Sequence, residues 1–217
     1  MIITDPQFIH AVKQKPKVYY NIWMIKGDFK AQATGIIEEA VASCNGLEKA
    51  LVFCKSRRAY DAWAKWFDCG VYYSNSEGKE ETLADLTLDL LFAMRLFAMR
   101  SLSASVDIWN TKTVIHVDES FGMISFDQEV GRSGQDREGV KLLVLISWVD
   151  YNKLTLFNYE TLSLDGRAMK EFLIMAEYRR SRMSVYMNGE EHNTTCMLLG
   201  GVLCDNGYDQ HDNLKLG

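Results

Sequence analysis

The stretch ALVFCKSRRAYDAWAKWF at residues 50–67 decides the fold class of this chain. Residues 50–54 are a short apolar run of the kind found in strands that are buried on both faces. Ser56 follows and has the side chain of a good helix N-cap. Four residues beyond it recur at helical spacing and share one face: Tyr60, Trp63, Ala64 and Phe67. The stretch therefore predicts a strand, a turn and an amphipathic helix.

The same order of strand and helix is found before and after this stretch. Residues 18–25, VYYNIWMI, are typical of a strand, and Gly27 and Asp28 lead into a helical pattern over residues 29–43. Further strands are predicted at residues 70–74, 113–117 and 140–147. The segment from Glu77 to about Arg100 has a helix-forming composition, so we predict a helix there.

Strands that alternate with helices through short connections pair in parallel with right-handed crossovers. We therefore predict an α/β fold with a parallel sheet, helices on both faces and a small helical appendage. In such sheets ligands gather at the carboxyl ends of the strands, so Ser56 and a later turn at Gly131 are expected to converge there.

The predicted organisation has three parts. Residues 1–17 form an N-terminal arm, because both prolines lie before residue 17. Residues 18–150 form the sheet domain. Residues 151–217 have a helical pattern and end in a Gly/Asn/Asp-rich tail that we expect to be frayed.

Composition excludes several classes of protein. No run of about 18 apolar residues is found and the N-terminus lacks the pattern of a signal peptide, so we expect an intracellular chain that does not contact membranes. The five cysteines are scattered, which favours reduced thiols. The formal net charge of −5 gives no general attraction to nucleic acid, so any such contact must be local.

Two groups of basic residues are candidates for a local contact with phosphates. The first follows the strand at 50–54 and the second lies near the C-terminus: Lys55, Arg57 and Arg58, and Arg179, Arg180 and Arg182. Each group also fits an ordinary solvated surface, and the sequence leaves both interpretations open.

The stretch QEVGRSGQD at residues 128–136 is a candidate phosphate site. Gly131 and Gly134 flank Arg132, and glycines let the backbone turn tightly and approach a ligand closely. The planar guanidinium of arginine matches phosphate oxygens and stays charged at any working pH. A surface loop with a solvated arginine remains the alternative.

A family resemblance extends over residues 18–150. The succession of ALVFCKSRRAYDAWA, GVYYSN, SLSASVDIWNTKTVIHV and SFDQEVGRSGQDREG resembles the second RecA-like lobe of RecQ-type ATP-dependent DNA helicases, especially the fungal transposon- or telomere-associated branch. The resemblance implies a nuclear protein that belongs to a 3'-5' DNA motor, with ATP and Mg²⁺ shared with another lobe.

The resemblance also implies roles for particular residues. Arg132 matches an arginine finger, and Gln128 matches the start of the same family motif, Gln-x-x-Gly-Arg-x-Gly-Arg. The nucleotide cleft would further include Gly131, Gly134, Gln135 and Asp107. DNA would contact Lys55, Ser56, Arg57 and Arg58.

The chain departs from the family pattern at positions that the resemblance implies are needed for ATP hydrolysis and DNA contact. Gln135 replaces the second arginine, and a neutral amide cannot supply the charge that an arginine finger gives to the transition state. Met99 replaces a threonine that would contact DNA, and the pentamer LFAMR is duplicated at 91–95 and 96–100. No Gly-x-Gly-Lys-Thr/Ser phosphate loop occurs in these 217 residues, so we expect the nucleotide to be held by a lobe outside them, in trans or in a longer product.

Residues 176–207 resemble the zinc-binding region of the same family. Cys196 and Cys204 match two ligands, but Tyr178 and Gly207 stand where the other two cysteines would be. His192 or His211 could substitute at unusual spacing. We therefore expect no bound zinc and weak order in 151–217.

Three functions fit these observations. The first is a diverged or truncated helicase lobe that does not hydrolyse ATP alone. The second is a non-catalytic module that binds nucleic acid or protein through the two basic groups. The third is an unrelated α/β enzyme that uses His116, Asp118 and Glu119 as acid and base.

Overall fold

The computed structural model describes the chain between residues 15 and 205, with gaps. The described residues are 15, 17–46, 48–67, 71–72, 95–98, 110–131, 139–156, 161–174, 179–190 and 193–205. Of the predicted site residues, Asp107, Arg132, Gly134, Gln135 and the side chain of Arg57 lie outside this part of the chain. The N-terminal arm before residue 15 and the tail after residue 205 also lie outside it.

Six strands among the described residues form one parallel sheet. They are β1 (Val18–Ile25), β2 (Lys49–Cys54), β3 (Val71–Tyr72), β4 (Arg95–Ala98), β5 (Thr111–Val117) and β6 (Val140–Ser147). Their order across the sheet is β1-β6-β5-β2-β4-β3, and every neighbouring pair is parallel. The predicted parallel α/β fold is confirmed, and the sheet centre is the apolar β5–β2 pair.

The described residues include six helices of eight residues or more. They are α1 (Phe29–Ala42), α2 (Arg57–Phe67), α3 (Met123–Val130), α4 (Trp148–Thr155), α5 (Leu164–Ile174) and α6 (Arg179–Asn188). The carboxylate of Asp28 accepts a hydrogen bond from the backbone N–H of Ala31 at 3.0 Å and caps α1. The hydroxyl of Ser56 accepts one from the N–H of Ala59 at 3.2 Å, which confirms the predicted cap of α2.

Successive side chains of a strand point to opposite faces of the sheet. The sheet therefore has a separate hydrophobic core on each face. The α1/α2 core lies on one face and contains Ile37, Val41, Trp63, Phe67, Val52, Ile115 and Leu145. The α3/α5 core lies on the other and contains Tyr20, Phe126, Met169, Phe172, Met183, Cys196 and Cys204. Helices therefore cover both faces, as predicted.

The C-terminal helices belong to the α3/α5 core. Phe172 of α5 is fully buried, and its ring centroid lies 5.7 Å from that of Tyr20 and 5.1 Å from that of Phe126. Weak order was expected for residues 151–217 without a metal. The described helices α5 and α6 instead pack against the sheet. Their aromatic and methionine side chains bury apolar surface there, and this burial stabilises the helices.

The predicted helix from Glu77 to about Arg100 is wrong at its C-terminal end. Residues 95–98 form β4, which pairs with β2 on one side and β3 on the other. β4 crosses the junction of the two LFAMR copies, because it takes the last residue of the first copy and three residues of the second. Pairing with two neighbouring strands overrides the helical propensity of this sequence.

No helix among the residues that the structure describes is long and apolar enough to cross a membrane.

Candidate functional site

The carboxyl ends of β2 and β5 bring polar residues from distant parts of the sequence to one edge of the sheet. Cys54 at the end of β2 is in register with Val117 at the end of β5. Lys55 and Ser56 therefore emerge beside Asp118 and Glu119. Ligands of open parallel sheets bind outside the carboxyl ends of the strands, so a binding site is expected at this edge.

The ammonium of Lys55 is engaged by a carboxylate at this edge. Its Nζ lies 2.6 Å from Oε1 of Glu119, and the two side chains are 40% and 22% exposed. An exposed ion pair contributes on the order of 1 kcal/mol or less, so an incoming phosphate can compete for the lysine. Lys55 lies at the carboxyl edge of the sheet, with part of its charge offset by Glu119.

The N-terminus of α2 adds donors and positive charge to the same edge. Ser56 and Arg58 are exposed there, and the first turn of α2 contains no acidic residue. The unpaired N–H groups and the macrodipole at a helix N-terminus favour anions. The structure therefore brings together three of the four predicted nucleic-acid residues: Lys55, Ser56 and the exposed Arg58.

The predicted nucleotide motif begins in the described region at the end of α3. Gln128 is exposed on this helix, and the N–H of Gly131 donates to the carbonyl of Asp127 at 2.8 Å. Gly131 has φ −66°, an ordinary right-handed value, so the special backbone freedom expected of this glycine is not used. The roles predicted for Arg132, Gly134, Gln135 and Asp107 stay predictions.

Gly131 does not lie at the edge that carries Ser56. A Cβ added at Gly131 would lie 3.5 Å from Nζ of Lys15, and Lys15 precedes the start of β1. Since α3 follows β5 and runs back along the sheet, it takes the chain from the carboxyl edge to the amino edge, where β6 begins. The expectation that Ser56 and the Gly131 turn converge is therefore wrong.

His116 is a buried core residue and not an exposed acid or base. Its side chain is 2% exposed and stacks on Phe53 with ring centroids 5.2 Å apart. Burial lowers the pKa of His116 to about 3, so the imidazole is neutral near pH 7. Nδ1 lies 3.5 Å from Oε2 of Glu129, and the same oxygen is 3.2 Å from the hydroxyl of Ser120.

The remaining members of the predicted acid and base set do not complete a substrate site. Burial raises the pKa of Asp118, and the nearby carboxylates of Asp150 and Glu119 raise it further. The cavity between Asp118, Glu119 and His116 measures about 10 Å³, which has room for about one water molecule. The hypothesis of an enzyme that uses His116, Asp118 and Glu119 as acid and base therefore loses its support.

The C-terminal basic group is buried, so its prediction as a surface cluster is wrong for Arg179 and Arg180. Nε of Arg179 lies 2.7 Å from Oδ1 of Asp205. Its Nη1 donates to the carbonyls of Phe172 and Leu173 at 2.6 and 3.2 Å. These carbonyls are in the last turn of α5, where backbone carbonyl groups have no hydrogen-bond donor within the helix. Arg179 supplies donors and therefore acts as a C-terminal cap.

Arg180 is 3% exposed and donates hydrogen bonds to the backbone at and just before the start of β1. Its guanidinium donates to the carbonyls of Lys15 and Val18, the latter at 2.7 Å, and lies 5.3 Å from the ring centroid of Tyr20. Helical spacing was the available signal, because Arg180 shares a face of α6 with the buried Met183 and Ser184. Arg182 faces outward at 43% exposure, 3.9 Å from Glu171.

The predicted metal pair, Cys196 and Cys204, is brought into direct contact. The two sulfur atoms are 3.0 Å apart, and Nε of Arg180 donates to Sγ of Cys196 at 3.3 Å. The hydrogen bond from Cys204 and the charge of Arg180 lower the pKa of Cys196, while burial and that same contact raise the pKa of Cys204.

These cysteines do not fit a tetrahedral zinc as they are placed. Two thiolates bound to one zinc at about 2.3 Å lie roughly 3.8 Å apart, well beyond the contact seen here. Among the residues that the structure describes, no group of three or more His, Cys, Asp and Glu side chains could hold a metal ion. Tyr178, His192, Gly207 and His211 lie outside the described residues.

Comparison with known proteins identifies the fold. No protein-family model matches the sequence, and no curated protein matches it. Among 125 matching chains of solved structures, one belongs to the crystal structure of the E. coli DEAD-box protein SrmB bound to regulator of ribonuclease activity A (RraA). It matches with a TM-score of 0.51 and 17% identity over 66% of this chain and 84% of that chain. The chain therefore has a RecA-like α/β fold.

Proposed function

We propose that this chain is the second RecA-like lobe of a nucleic-acid motor of the RecQ-like DNA helicase type. In this proposal the lobe contacts a DNA strand and contributes to a nucleotide cleft completed by another lobe. It does not hydrolyse ATP alone. The observation that carries the proposal is the group of Lys55, Ser56 and Arg58 at the carboxyl edge of a RecA-like sheet.

The DNA contact is argued from local electrostatics. The formal net charge of −5 repels a phosphate backbone at long range, so affinity must come from a small number of close contacts. The N-terminus of α2 provides backbone N–H groups, the hydroxyl of Ser56 and the exposed guanidinium of Arg58. Lys55 joins them when phosphate displaces Glu119. Phosphate contacts of this kind position a strand without reading its sequence.

The nucleotide contact is assigned to the loop that follows α3. Arg132 would contact a phosphate held by the other lobe, and Gln128 is exposed on the helix that leads to it. The strand contact and the nucleotide contact then lie on opposite edges of the sheet, so they are separate functions of this lobe. Gln135 in place of a second arginine removes a charge that hydrolysis requires, which supports an inactive or strongly impaired cleft.

The alternative is a non-catalytic protein-binding module. Large apolar side chains are exposed near the carboxyl end of β1 and at the start of α4, which follows β6: Trp23, Met24, Trp148 and Val149. Lys26 lies 4.2 Å from the ring centroid of Trp148 and covers part of this surface. Exposed apolar surface of this kind is typical of protein interfaces.

The two functions are separated by one pair of measurements on the purified chain. Fluorescence anisotropy of a labelled single-stranded DNA at low salt is expected to show binding. The same sample with ATP and Mg²⁺ is expected to show no DNA-stimulated turnover. Absence of binding would leave only the protein-binding module, and turnover that follows this polypeptide through purification would contradict the inactive cleft.

A further inference from the structure

Cys196 and Cys204 lie in the α3/α5 core, and Cys196 is part of the turn at 195–200. Cys196 belongs to a turn in which the N–H of Leu199 donates to the carbonyl of Thr195 at 3.2 Å. The N–H of Gly201 returns to the carbonyl of Cys196 at 2.9 Å. Cys204 follows in a segment that is neither helix nor strand. Neither cysteine side chain has exposed surface.

The segment that carries Cys204 is fixed on its other side by charged and backbone contacts. Asp205 accepts a hydrogen bond from the N–H of Ile22 at 2.7 Å and pairs with Arg179 at 2.7 Å. The carbonyl of Val202 accepts from Arg180 at 3.4 Å. Because β1 and α6 both hold this segment, Cys204 is kept at a defined position against Cys196.

The surroundings of the pair favour sulfur chemistry over a metal ion. Nε of Arg180 lies 3.3 Å from the sulfur of Cys196, and a fixed positive charge at this distance opposes the binding of a cation. The sulfur atoms are closer than two ligands of one zinc, and one further approach of about 1 Å makes an S–S bond of about 2.05 Å.

We propose that Cys196 and Cys204 are a redox-active dithiol that closes reversibly into an intramolecular disulfide. The oxidant is a small-molecule disulfide of the glutathione type. Cys196 attacks one of its sulfur atoms, forms a mixed disulfide and releases one thiol. Cys204 then attacks the sulfur of Cys196 and releases the second thiol. The protein loses two electrons and two protons, and the small disulfide gains them as two thiols.

The reaction needs the turn at 195–200 to open, because both sulfur atoms are buried. Met197 and Leu198 in this turn are 55% and 77% exposed, so little apolar contact holds it down. Gly200 has φ +59°, a left-handed conformation that other residues adopt at a cost. Closure of the disulfide would fasten the turn to the segment at 201–205 and hence to β1.

Two other buried cysteines provide controls within the same chain. The thiol of Cys44 donates to the carbonyl of Ala40 at 3.4 Å, and burial raises the pKa of Cys54. Among the described residues neither thiol contacts a second cysteine, and the only positive charge that acts on either is that of Lys112 on Cys44. Cys44 and Cys54 are 8% and 7% exposed, against 0% for Cys196 and Cys204, so preferential oxidation of the pair reports the pairing and not easier access.

The test uses the full chain in glutathione buffers of increasing oxidised fraction. Samples are quenched in acid, alkylated and digested, and the peptides are identified by mass spectrometry. We expect a peptide linked from Cys196 to Cys204 that disappears when the buffer is made reducing. Cys44 and Cys54 are expected to remain alkylated. In Cys204→Ser the remaining Cys196 should accumulate a mixed disulfide with glutathione, and Cys44→Ser should leave the linked peptide unchanged.

Three outcomes would overturn the proposal. The first is alkylation of Cys196 and Cys204 to the same extent as Cys44 and Cys54 in the most oxidising buffer. The second is a set of linked peptides without preference for this pair. The third is stoichiometric zinc in the purified chain, measured by elemental analysis, that protects both thiols until a chelator removes it. The wild-type chain alone decides among these outcomes, so they do not depend on the folding of a variant.

Discussion

Arg180 places a permanent positive charge in the interior, where several acceptors share it. Backbone carbonyls at the start of β1, the carbonyl of Val202 and the sulfur of Cys196 all lie within hydrogen-bonding reach. A buried charge is tolerated when it is hydrogen-bonded on every side. The side chain thereby links β1, α6 and the segment at 201–205.

Replacement of Arg180 by methionine is expected to lower the free energy of unfolding by about 3 kcal/mol. Methionine fills similar space, but it leaves buried carbonyls without donors, each at a cost of about 1–3 kcal/mol. Urea denaturation followed by far-UV circular dichroism measures the change. Arg182→Ala on the exposed side of α6 is the matched control and should change stability by less than about 0.5 kcal/mol. Equal effects of the two substitutions would mean that the hydrogen bonds of Arg180 do not stabilise the folded protein.

His116 should make stability depend on pH. Burial lowers its pKa in the folded protein to about 3, below the unfolded value near 6.5. Between these values the unfolded chain binds more protons, so stability falls as pH drops below about 6.5 and recovers above it. This one group contributes a slope of at most about 1.4 kcal/mol per pH unit.

The measurement is urea denaturation of the wild type and of His116→Gln at pH 7 and pH 5. The wild type is expected to lose about 2 kcal/mol more than the variant over this interval. Identical losses would show that His116 titrates normally and is not buried in solution.

At the scale of elements, α2 shows how a local signal places a functional surface. Ser56 caps the helix with its side chain, and Arg58 emerges from the first turn. The cap fixes where the helix begins, and the preceding strand fixes where its N-terminus points. The first turn of α2 therefore lies at the carboxyl edge of the sheet.

Ser56→Ala is expected to lower stability by about 1 kcal/mol, because the N–H of Ala59 loses its acceptor. Ser56→Asp should retain the stability, since a carboxylate is an equally good cap and interacts favourably with the helix dipole. Thermal unfolding distinguishes the two. If alanine and aspartate destabilise equally, the hydroxyl of Ser56 does not cap α2.

Some elements could be predicted from the sequence and others could not, for physical reasons. The runs at 18–25, 50–54, 113–117 and 140–147 carry their own burial pattern, and each is a strand close to the predicted bounds. The residues of β4 taken alone favour a helix, because the strand depends on pairing with β2 and β3; the family resemblance, in contrast, implies a strand at the duplicated pentamer. The burial of Arg179 and Arg180 was not predicted. Their charge indicated an exposed surface, whereas their helical spacing with Met183 and Ser184 indicated a buried face.

At the scale of the whole molecule, the sheet separates the two surfaces to which the proposed function assigns different contacts. The carboxyl edge presents Ser56 and Arg58, and the amino edge receives the turn at Gly131. The α3/α5 core continues from the sheet into α5, α6 and the cysteine pair. A change at Cys196 and Cys204 would therefore act on β1, which also begins at the amino edge.

The central claim is that the N-terminus of α2 binds a nucleic-acid backbone, and the salt dependence of DNA binding tests it most directly. Anisotropy titrations of a labelled single strand across a range of salt concentrations give the slope of log affinity against log salt, which is about −0.7 for each phosphate contact. The double variant Arg57→Ala/Arg58→Ala is expected to weaken binding and make this slope shallower by about one unit or more, while Arg182→Ala leaves it unchanged. A slope that is the same in all three proteins, or binding that salt does not affect, would contradict the claim.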